Sequence, residues 1–256
     1  MIPAGPLPGA PRGGVTGGLL ARSIHSGRVL EELRESIVAG ALPAGYALRE
    51  AVLADNLGVS RGPIRRALRE LESEGLVENL PNGRSLVSGF TQRDLLDLFA
   101  VRLELESVAV EWGITARWSP EGVCRGLRTM AEEGASTTHL VELDLAFHRA
   151  LVEFAGSRSL LRSWLAIAPV IATVIMVGNR RLGNREPQSD YARIMAAHTP
   201  LADAVLAGDA ALARDLLARQ FAITQSMYAV DGAESSEDEA PSHVIGTAAR
   251  DGAGHE

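Results

Sequence analysis

Apolar side chains recur at helical spacing through the first part of the chain. Between Arg28 and Gly40 they fall on one face of a helix, and Gly40 marks its end. A second, shorter helix is predicted from Arg49 to Leu57. A third begins at Ser60, because serine is a favourable N-cap and Pro63 is tolerated in the first turn of a helix. The pattern therefore predicts three short helices joined by tight turns.

Two short β-prone runs follow, one on each side of the sequence PNGR. Asn82 and Gly83 favour positive φ, which is the requirement of a β-hairpin turn. Three helices followed by a hairpin are typical of a winged helix-turn-helix, with the sequence LGVS as the turn between its second and third helices. We assign this predicted domain to residues 23–90.

After Phe90 the pattern is helical, and no strand is predicted. Six helices are expected, at about 92–117, 120–134, 138–155, 158–181, 188–207 and 210–229. The predicted fold class is therefore mainly α, with an N-terminal winged helix-turn-helix (three helices plus a β-hairpin wing) followed by an all-α bundle of about six helices at 91–230. The ends, 1–22 and 231–256, are rich in small and polar residues and are expected to be a disordered arm and a disordered tail.

Composition narrows the classes of protein. The chain of 256 residues is 46% hydrophobic but only 4% aromatic, which suits packed helices. Its net charge of −7 argues against general wrapping by nucleic acid but not against a local basic patch. The single cysteine, Cys124, excludes an intramolecular disulfide and fits a reducing cytosol. No apolar run approaches the roughly 20 residues of a membrane span, so we expect a cytoplasmic protein without a membrane partner.

The third predicted helix is locally basic. Its apolar positions fall on one face, and its arginines, with no acid among them up to position 69, fall on the other: Arg61, Arg65, Arg66 and Arg69. An α-helix fits the DNA major groove, where arginine reaches base edges or phosphates. Gly83 and Arg84 at the hairpin tip are expected to lie along the adjacent minor groove or phosphates. The alternative is an ordinary solvated face, neutralised in part by the acids that follow at Glu70, Glu72 and Glu74.

The segment from Val29 to Val87 resembles the DNA-binding domain of the GntR family of bacterial transcription regulators. The matching stretches are LREAVLADNLGVSRGPIRRALRELESEGLV and LPNGRSLV. The resemblance implies that Arg61 and Arg65, preceded by Ser60, contact DNA and that Gly83 is the wing glycine. The chain departs from the family pattern at Arg66, where many members have Glu, and at Ala51, where some have a DNA-contacting Arg. The operator sequence therefore cannot be transferred from the family.

The second domain resembles the FadR C-terminal domain, on the stretches VRLELES, DLAFHRALVEFAG and AAHTPLADAVLAGDAALARDLLARQ. Such domains bind small carboxylate effectors, often beside a divalent metal, zinc or nickel, held by one Asp and three His. The resemblance implies the metal ligands Asp144, His148, His198 and, in place of the third His, Gln220. It also implies that Arg102 pairs with the carboxylate of the effector, with Arg149 as a further candidate; the alternative for Arg102 is a helical ion pair with Glu106.

Helical spacing independently predicts that the four metal candidates converge. Asp144 and His148 lie one turn apart, and His198 and Gln220 lie at nearly the same distance on either side of the turn at Gly208. A glutamine carbonyl is a poorer zinc ligand than imidazole. Three interpretations stay open: a metal completed by Gln220 or water, a metal-free pocket whose polar groups bind the ligand directly, and a polar cluster without a ligand.

These features together predict a homodimeric, effector-responsive transcription regulator. It would bind a double-stranded operator and release it on binding a small organic acid, and family analogy favours repression. The two alternatives are a metal-dependent, hydrolase-like enzyme and a DNA-binding protein without an effector. Trp112, Trp118 and Trp164 are expected in the core or at the subunit interface.

Overall fold

The computed structural model describes residues 19–132, 137–181 and 187–227, and this part of the chain contains nine α-helices and three short strands. In chain order they are α1 Leu19–Val38, β1 Ala47–Leu48, α2 Glu50–Leu57, α3 Arg61–Ser73, β2 Val77–Asn79, β3 Ser85–Val87, α4 Gln92–Thr115, α5 Glu121–Glu132, α6 Thr137–Glu153, α7 Arg158–Arg181, α8 Pro187–Ala207 and α9 Ala210–Met227. The predicted fold class, a winged helix-turn-helix followed by a helical bundle, is confirmed.

The helix-turn-helix forms around the apolar face of α3. This face is fully buried, and α3 packs mainly on α1 and also on α2. Helix α2 ends at Gly58, whose φ of +64° suits glycine and lets the chain turn directly into α3. Ser60 occupies the N-cap position with an extended backbone, but its side chain makes no capping hydrogen bond. The predicted cap residue is therefore in place without the predicted bond.

The wing is a three-stranded antiparallel sheet in the order β1-β3-β2. The hairpin of β2 and β3 was predicted; β1 was not, because two residues are too few to give an alternating pattern. At the wing tip Gly83 has the expected positive φ of +76°. Asn82 does not have the positive φ that we predicted for it; its Oδ1 instead accepts a hydrogen bond from the backbone N–H of Arg84 at 3.1 Å.

Helix α1 is longer than the sequence pattern indicated. It begins at Leu19, whereas we placed its start at Arg28 and assigned residues 1–22 to a disordered arm. The helix continues through Gly27, a residue that costs only about 1 kcal/mol relative to alanine inside a helix. Residues 19–22 are therefore helical, while the remainder of the proposed arm and the tail at 231–256 lie outside the described residues.

The bundle is organised around α4 and α7. Helix α4 starts with a capping box between Thr91 and Asp94 and packs against α6, α7 and α9. Helix α7 is long and apolar enough, with a mean hydropathy of 2.0, to cross a membrane by length and composition. The expectation that no segment of the chain approaches a membrane span is therefore wrong. In the fold, however, it packs against α1, α4 and α6, and Trp164 is buried as expected. Trp112 and Trp118 are exposed and lie outside the core, so for them the subunit interface stays the prediction.

Candidate functional sites

The arginine face of α3 is exposed to solvent. Arg61, Arg65, Arg66 and Arg69 all lie on the surface opposite the buried apolar face. None of them pairs with the acids that follow in α3 within the described part of the chain. Glu74 instead forms a buried ion pair with Arg34 of α1, with both contacts at 2.7 Å. These acids therefore do not neutralise the arginine face of α3, as the alternative interpretation would require.

The wing tip adds two of the predicted DNA-contacting residues to the same domain. Gly83 and Arg84 are both exposed.

Arg65 is the one arginine of the α3 face that the described structure shows in an ion pair. Its Nε lies 2.9 and 3.0 Å from the two carboxylate oxygens of Glu50. That pair links the first residue of α2 to the exposed face of α3.

A second cluster lies in the middle of the bundle, where the four predicted metal candidates meet. Asp144 Oδ1 lies 3.0 Å from Nε2 of His198, and Nε2 of His148 lies 3.2 Å from the same nitrogen. Asp144, His148 and His198 each direct one ligand atom to a common point, with these atoms within 4.8 Å of one another. Gln220 Nε2 approaches the two histidine Nε2 atoms at 3.2 and 3.1 Å. The convergence predicted from helical spacing is thus present.

The tautomers of both histidines follow from their outer nitrogens. His148 Nδ1 lies 2.6 Å from a carboxylate oxygen of Glu106, and His198 Nδ1 lies 2.7 Å from the backbone carbonyl of Ile194. Both partners can only accept a hydrogen bond, so each Nδ1 carries the hydrogen. In the neutral ring Nε2 of His148 then presents a lone pair to the centre of the cluster, as a metal ligand does. Nε2 of His198 lies 3.0 Å from the carboxylate of Asp144 and would have to be free of hydrogen to bind a metal.

Electrostatics in the cluster favour a charged carboxylate beside a neutral histidine. Burial alone would raise the pKa of Asp144, but the adjacent rings of His148 and His198 and the charge of Arg102 outweigh it and hold that pKa well below its usual range. Burial and the nearby Arg102 lower the pKa of His148. The groups that face the centre are therefore a carboxylate and an imidazole lone pair.

Glu106 connects the cluster to two further helices of the bundle through buried hydrogen bonds. It is fully buried, and its Oε1 accepts hydrogen bonds from Arg102 Nε and Trp164 Nε1, both at 2.9 Å. Burial would raise the pKa of Glu106, but His148 and Arg102 outweigh it and lower that pKa. The sequence indicated Glu106 only as a helical ion-pair partner of Arg102. Its contacts with α6 and α7 could not be predicted, because they join residues far apart in the chain.

Arg102 lines a cavity of about 300 Å³ together with members of this cluster. Its side chain is 2% exposed, its guanidinium carbon lies 4.4 Å from the ring centre of Phe221, and its Nη2 is buried without a hydrogen-bond partner. Nη2 is 3.7 Å from the nearer oxygen of Asp144. The helical ion pair with Glu106 therefore exists, but it leaves one strong donor of the guanidinium unused.

The cavity is lined by both polar and apolar groups from α4, α6, α7, α8 and α9. The predicted site residues among its walls are Arg102, Asp144, His198 and Gln220. Arg149 is not among them: it is exposed and its Nε donates to Glu153 at 2.8 Å. It follows His148 directly in α6, and a rotation of about 100° turns it away from the bundle centre.

Comparison with known proteins identifies the family. The family model described as "Bacterial regulatory proteins, gntR family" matches residues 25–87, and that of the FCD domain matches residues 97–222. The chain is 30% identical over 206 residues to the probable D-xylose utilization operon transcriptional repressor of Paenarthrobacter nicotinovorans, an alignment that covers 79% of this chain and 88% of that protein. The chain belongs to the GntR family. The predicted resemblance is confirmed.

Further relatives of this GntR-family protein are regulators as well. It is 26% identical to the gluconate operon transcriptional repressor of Bacillus subtilis strain 168, over 79% of this chain and 84% of that one. It is 29% identical to the transcriptional repressor GlaR of Escherichia coli K12, over 75% of this chain and 90% of that one. The family thus supports a DNA-binding transcriptional regulator that is not an enzyme, and the hydrolase alternative is not favoured.

Solved structures show the same fold at low sequence identity. Lar, which controls the expression of the Listeria monocytogenes agr system, matches with a TM-score of 0.60 and 17% identity, over 84% of this chain and 98% of that one. A GntR regulator from Rhodococcus sp. RHA1 matches with a TM-score of 0.52 and 22% identity, over 80% and 97%. At these identities the likeness concerns the fold alone.

FCD domains often bind a metal, and the cluster of this GntR-family regulator fits a divalent cation. Two imidazole Nε2 atoms and one carboxylate oxygen lie within 4.8 Å of one another, and both rings are fixed by hydrogen bonds at their outer nitrogens. The Oε1 atom of Gln220 is buried without a partner. Turning the amide by about 180° would direct this oxygen to the centre, where a cation would give it the partner it lacks.

Sequence reasoning missed several residues that line the cavity. Asn179 of α7, Arg193 of α8 and Thr224 of α9 are the polar ones. Thr224 follows Gln220 at i+4, so extending each site residue by one helical turn would have found it. Asn179 and Arg193 have no such neighbour among the predicted site residues, and only the packing of the helices brings them to the cavity.

Proposed function

We propose that this regulator is a cytoplasmic, homodimeric repressor with no membrane partner, whose affinity for DNA is lowered by a small carboxylate bound in the cavity of the bundle. One observation carries the proposal: a domain with an exposed arginine face is joined to a domain in which a buried guanidinium, with an unused donor, borders a cavity. In the proposed division, residues 23–90 bind DNA and residues 91–230 bind the effector and form the dimer.

The proposed DNA-binding surface consists of α3 and the wing. Its residues are Ser60, Arg61, Arg65, Arg66, Arg69, Gly83 and Arg84. The exposed arginines lie on a helix that is narrow enough for the major groove, while the glycine at the wing tip allows close approach to the backbone of DNA. Each subunit would contact one half of a roughly palindromic operator.

The proposed effector is a small acid whose carboxylate meets Arg102. A buried guanidinium nitrogen without a partner is costly, and a carboxylate would supply the acceptor with the strength of a charge-assisted hydrogen bond. A cavity of about 300 Å³ suits a small molecule. The relatives named for gluconate and D-xylose operons make sugar-derived acids the first candidates.

A divalent cation, zinc or nickel, would be held by Asp144, His148 and His198, with the amide oxygen of Gln220 as the fourth ligand. When bound, it would supply positive charge beside the cavity and so attract the carboxylate or hydroxyl groups of the effector. Glu106 would fix the His148 ring and keep its Nε2 unprotonated. Arg102, which lines the same cavity, would bind the carboxylate of the effector.

Helix α7 offers a route from the cavity to the DNA-binding domain. Asn179 lines the cavity, and the next two residues contact the C-terminal end of α1 and the residue after it. Arg180 pairs with Glu35, and Arg181 Nη2 donates to the carbonyl of Ala39 at 3.1 Å. A ligand that displaces the end of α7 would therefore change the placement of the helix on which α3 packs. Such a ligand must bind the two arrangements unequally to lower DNA affinity.

An apolar face formed by α4 and α7 supports the homodimer. Its exposed or half-buried members are Val101, Leu105, Val108, Trp112, Leu161 and Leu165. On α4 these residues recur at i, i+4, i+7 and i+11, and Leu105 and Leu161 pack against the same small core cluster, so the two helices form one surface. An apolar face of this kind would be covered by the same face of a second subunit.

The experiment starts with selection of operator sequences from a pool of random duplexes. Fluorescence anisotropy then measures binding of the selected duplex with and without sugar acids and other small carboxylates. We expect one acid to weaken operator binding and to raise the melting temperature saturably. The variant Arg102→Lys, which keeps the charge but loses the planar fork, should require more of the acid for the same effect. Failure to select any duplex would refute the DNA-binding role; an operator insensitive to every acid would refute the effector role.

A further inference from the structure

The ion pair between Glu50 and Arg65 joins the two helices of the helix-turn-helix at the proposed DNA-binding surface. Both carboxylate oxygens of Glu50 contact Nε of Arg65, at 3.0 and 2.9 Å. Within the described part of the chain, the terminal Nη1 and Nη2 groups of Arg65 make no hydrogen bond. The pair therefore holds the middle of the guanidinium and leaves its outer edge for another partner.

Glu50 is the less exposed partner of the pair. It is the first residue of α2, where a carboxylate interacts favourably with the helix N-terminus, and its side chain is 35% exposed. Arg65, in contrast, is 61% exposed. An ion pair at this exposure contributes little to folding stability. Its geometry thus points to a role in placing Arg65 rather than in holding the domain together.

The remaining arginines of α3 show what is particular about Arg65. Arg61, Arg66 and Arg69 are exposed, and the described residues provide no ion-pair partner for any of them. Long, unrestrained cationic side chains can follow the phosphates of any sequence. A guanidinium fixed at Nε presents a defined pair of donors, which is what recognition of two acceptors on a guanine edge requires.

We propose that Glu50 is a positioning residue for sequence readout, which orients Arg65 so that its two Nη groups meet a base edge in the major groove. The same carboxylate repels the phosphates of any duplex. Its presence therefore has two effects of opposite sign: it weakens binding to all DNA through charge and strengthens binding to the operator through orientation. The proposal rests on the DNA-binding role of α3 and adds how selectivity is obtained.

The test compares Glu50→Gln with the wild type on a selected operator and on a scrambled duplex of equal length, at one salt concentration. We expect Glu50→Gln to bind the scrambled duplex more tightly and the operator about tenfold more weakly, because the base contact loses its orientation. The control is Glu70→Gln, which removes a negative charge from the same exposed side of α3 without contacting Arg65. This control should tighten binding to both duplexes by a similar factor.

A double-mutant cycle shows whether Glu50 acts through Arg65. In an Arg65→Ala background, the substitution Glu50→Gln should no longer weaken operator binding, and only the general gain in affinity should remain. The inference is overturned if Glu50→Gln behaves like Glu70→Gln on both duplexes, or if its loss on the operator persists without Arg65. If the wild type itself does not distinguish the two duplexes, the DNA-binding role and this inference fail together.

Discussion

Substituting Glu106 by glutamine tests the construction of the buried cluster. The carboxylate accepts hydrogen bonds from Arg102 and Trp164 on one oxygen and from His148 on the other. Glutamine has nearly the same shape and can keep its oxygen toward Arg102 and Trp164. Its NH2 group would then face Nδ1 of His148, which also carries a hydrogen. Either that contact is lost, or the proton of His148 moves to Nε2.

The expected cost follows from the burial of these groups. Arg102 loses its close ionic partner, and the nearest remaining carboxylate, that of Asp144, lies 3.7 Å away. Breaking a buried ion pair costs roughly 3–5 kcal/mol, and we expect about 3 because two hydrogen bonds survive. For a chain of this size, that corresponds to a fall in melting temperature of roughly 6–12 °C. A proton on His148 Nε2 would also lower cation affinity by about 10–100-fold.

Thermal unfolding and calorimetric titration with zinc or nickel measure both effects. The control is Glu104→Gln on the same helix, because Glu104 is exposed and pairs only at the surface with Arg214. This control should change stability by about 1 kcal/mol or less.

The dependence of folding stability on pH tests the contribution of Glu106 independently. The pKa of Glu106 is lowered in the fold, so its contribution is present above its unfolded pKa of about 4.3 and is lost as the pH falls through the lower, folded value. The difference in stability between the wild type and Glu106→Gln should therefore shrink on acidification below about pH 4. Equal stability and equal cation affinity of Glu106→Gln and Glu104→Gln would refute the reasoning.

Three further predictions concern the cation, the coupling and the dimer. Gln220→His should bind zinc or nickel more tightly than the wild type in calorimetric titration, because imidazole is the better ligand; an unchanged affinity would remove residue 220 from the ligand set. Arg181→Ala, which removes the contact with Ala39, should bind the effector as before in calorimetry but reduce its effect on operator binding in anisotropy; unchanged coupling would exclude this route. Leu165→Asp should shift sedimentation toward the monomer, and a persistent dimer would place the interface elsewhere.

Local patterns in the sequence determined most of the architecture. The burial of Ile64, Ala67, Leu68 and Leu71 follows from helical periodicity, because side chains one turn apart must share a face. The positive φ at Gly83 follows from turn chemistry. Element boundaries could not be read from these patterns. Helix α1 continues through Gly27 and begins at Leu19, and the two-residue strand β1 exists only through its pairing with β3.

The sequence by itself also determined that Asp144, His148, His198 and Gln220 would meet, because helix rise and a short turn fix their heights in the bundle. Only the tertiary structure decided what surrounds them. Glu106 receives its partners from three helices, α4, α6 and α7. Contacts of this kind depend on how helices pack side by side, and the spacing of residues along one helix does not contain that information.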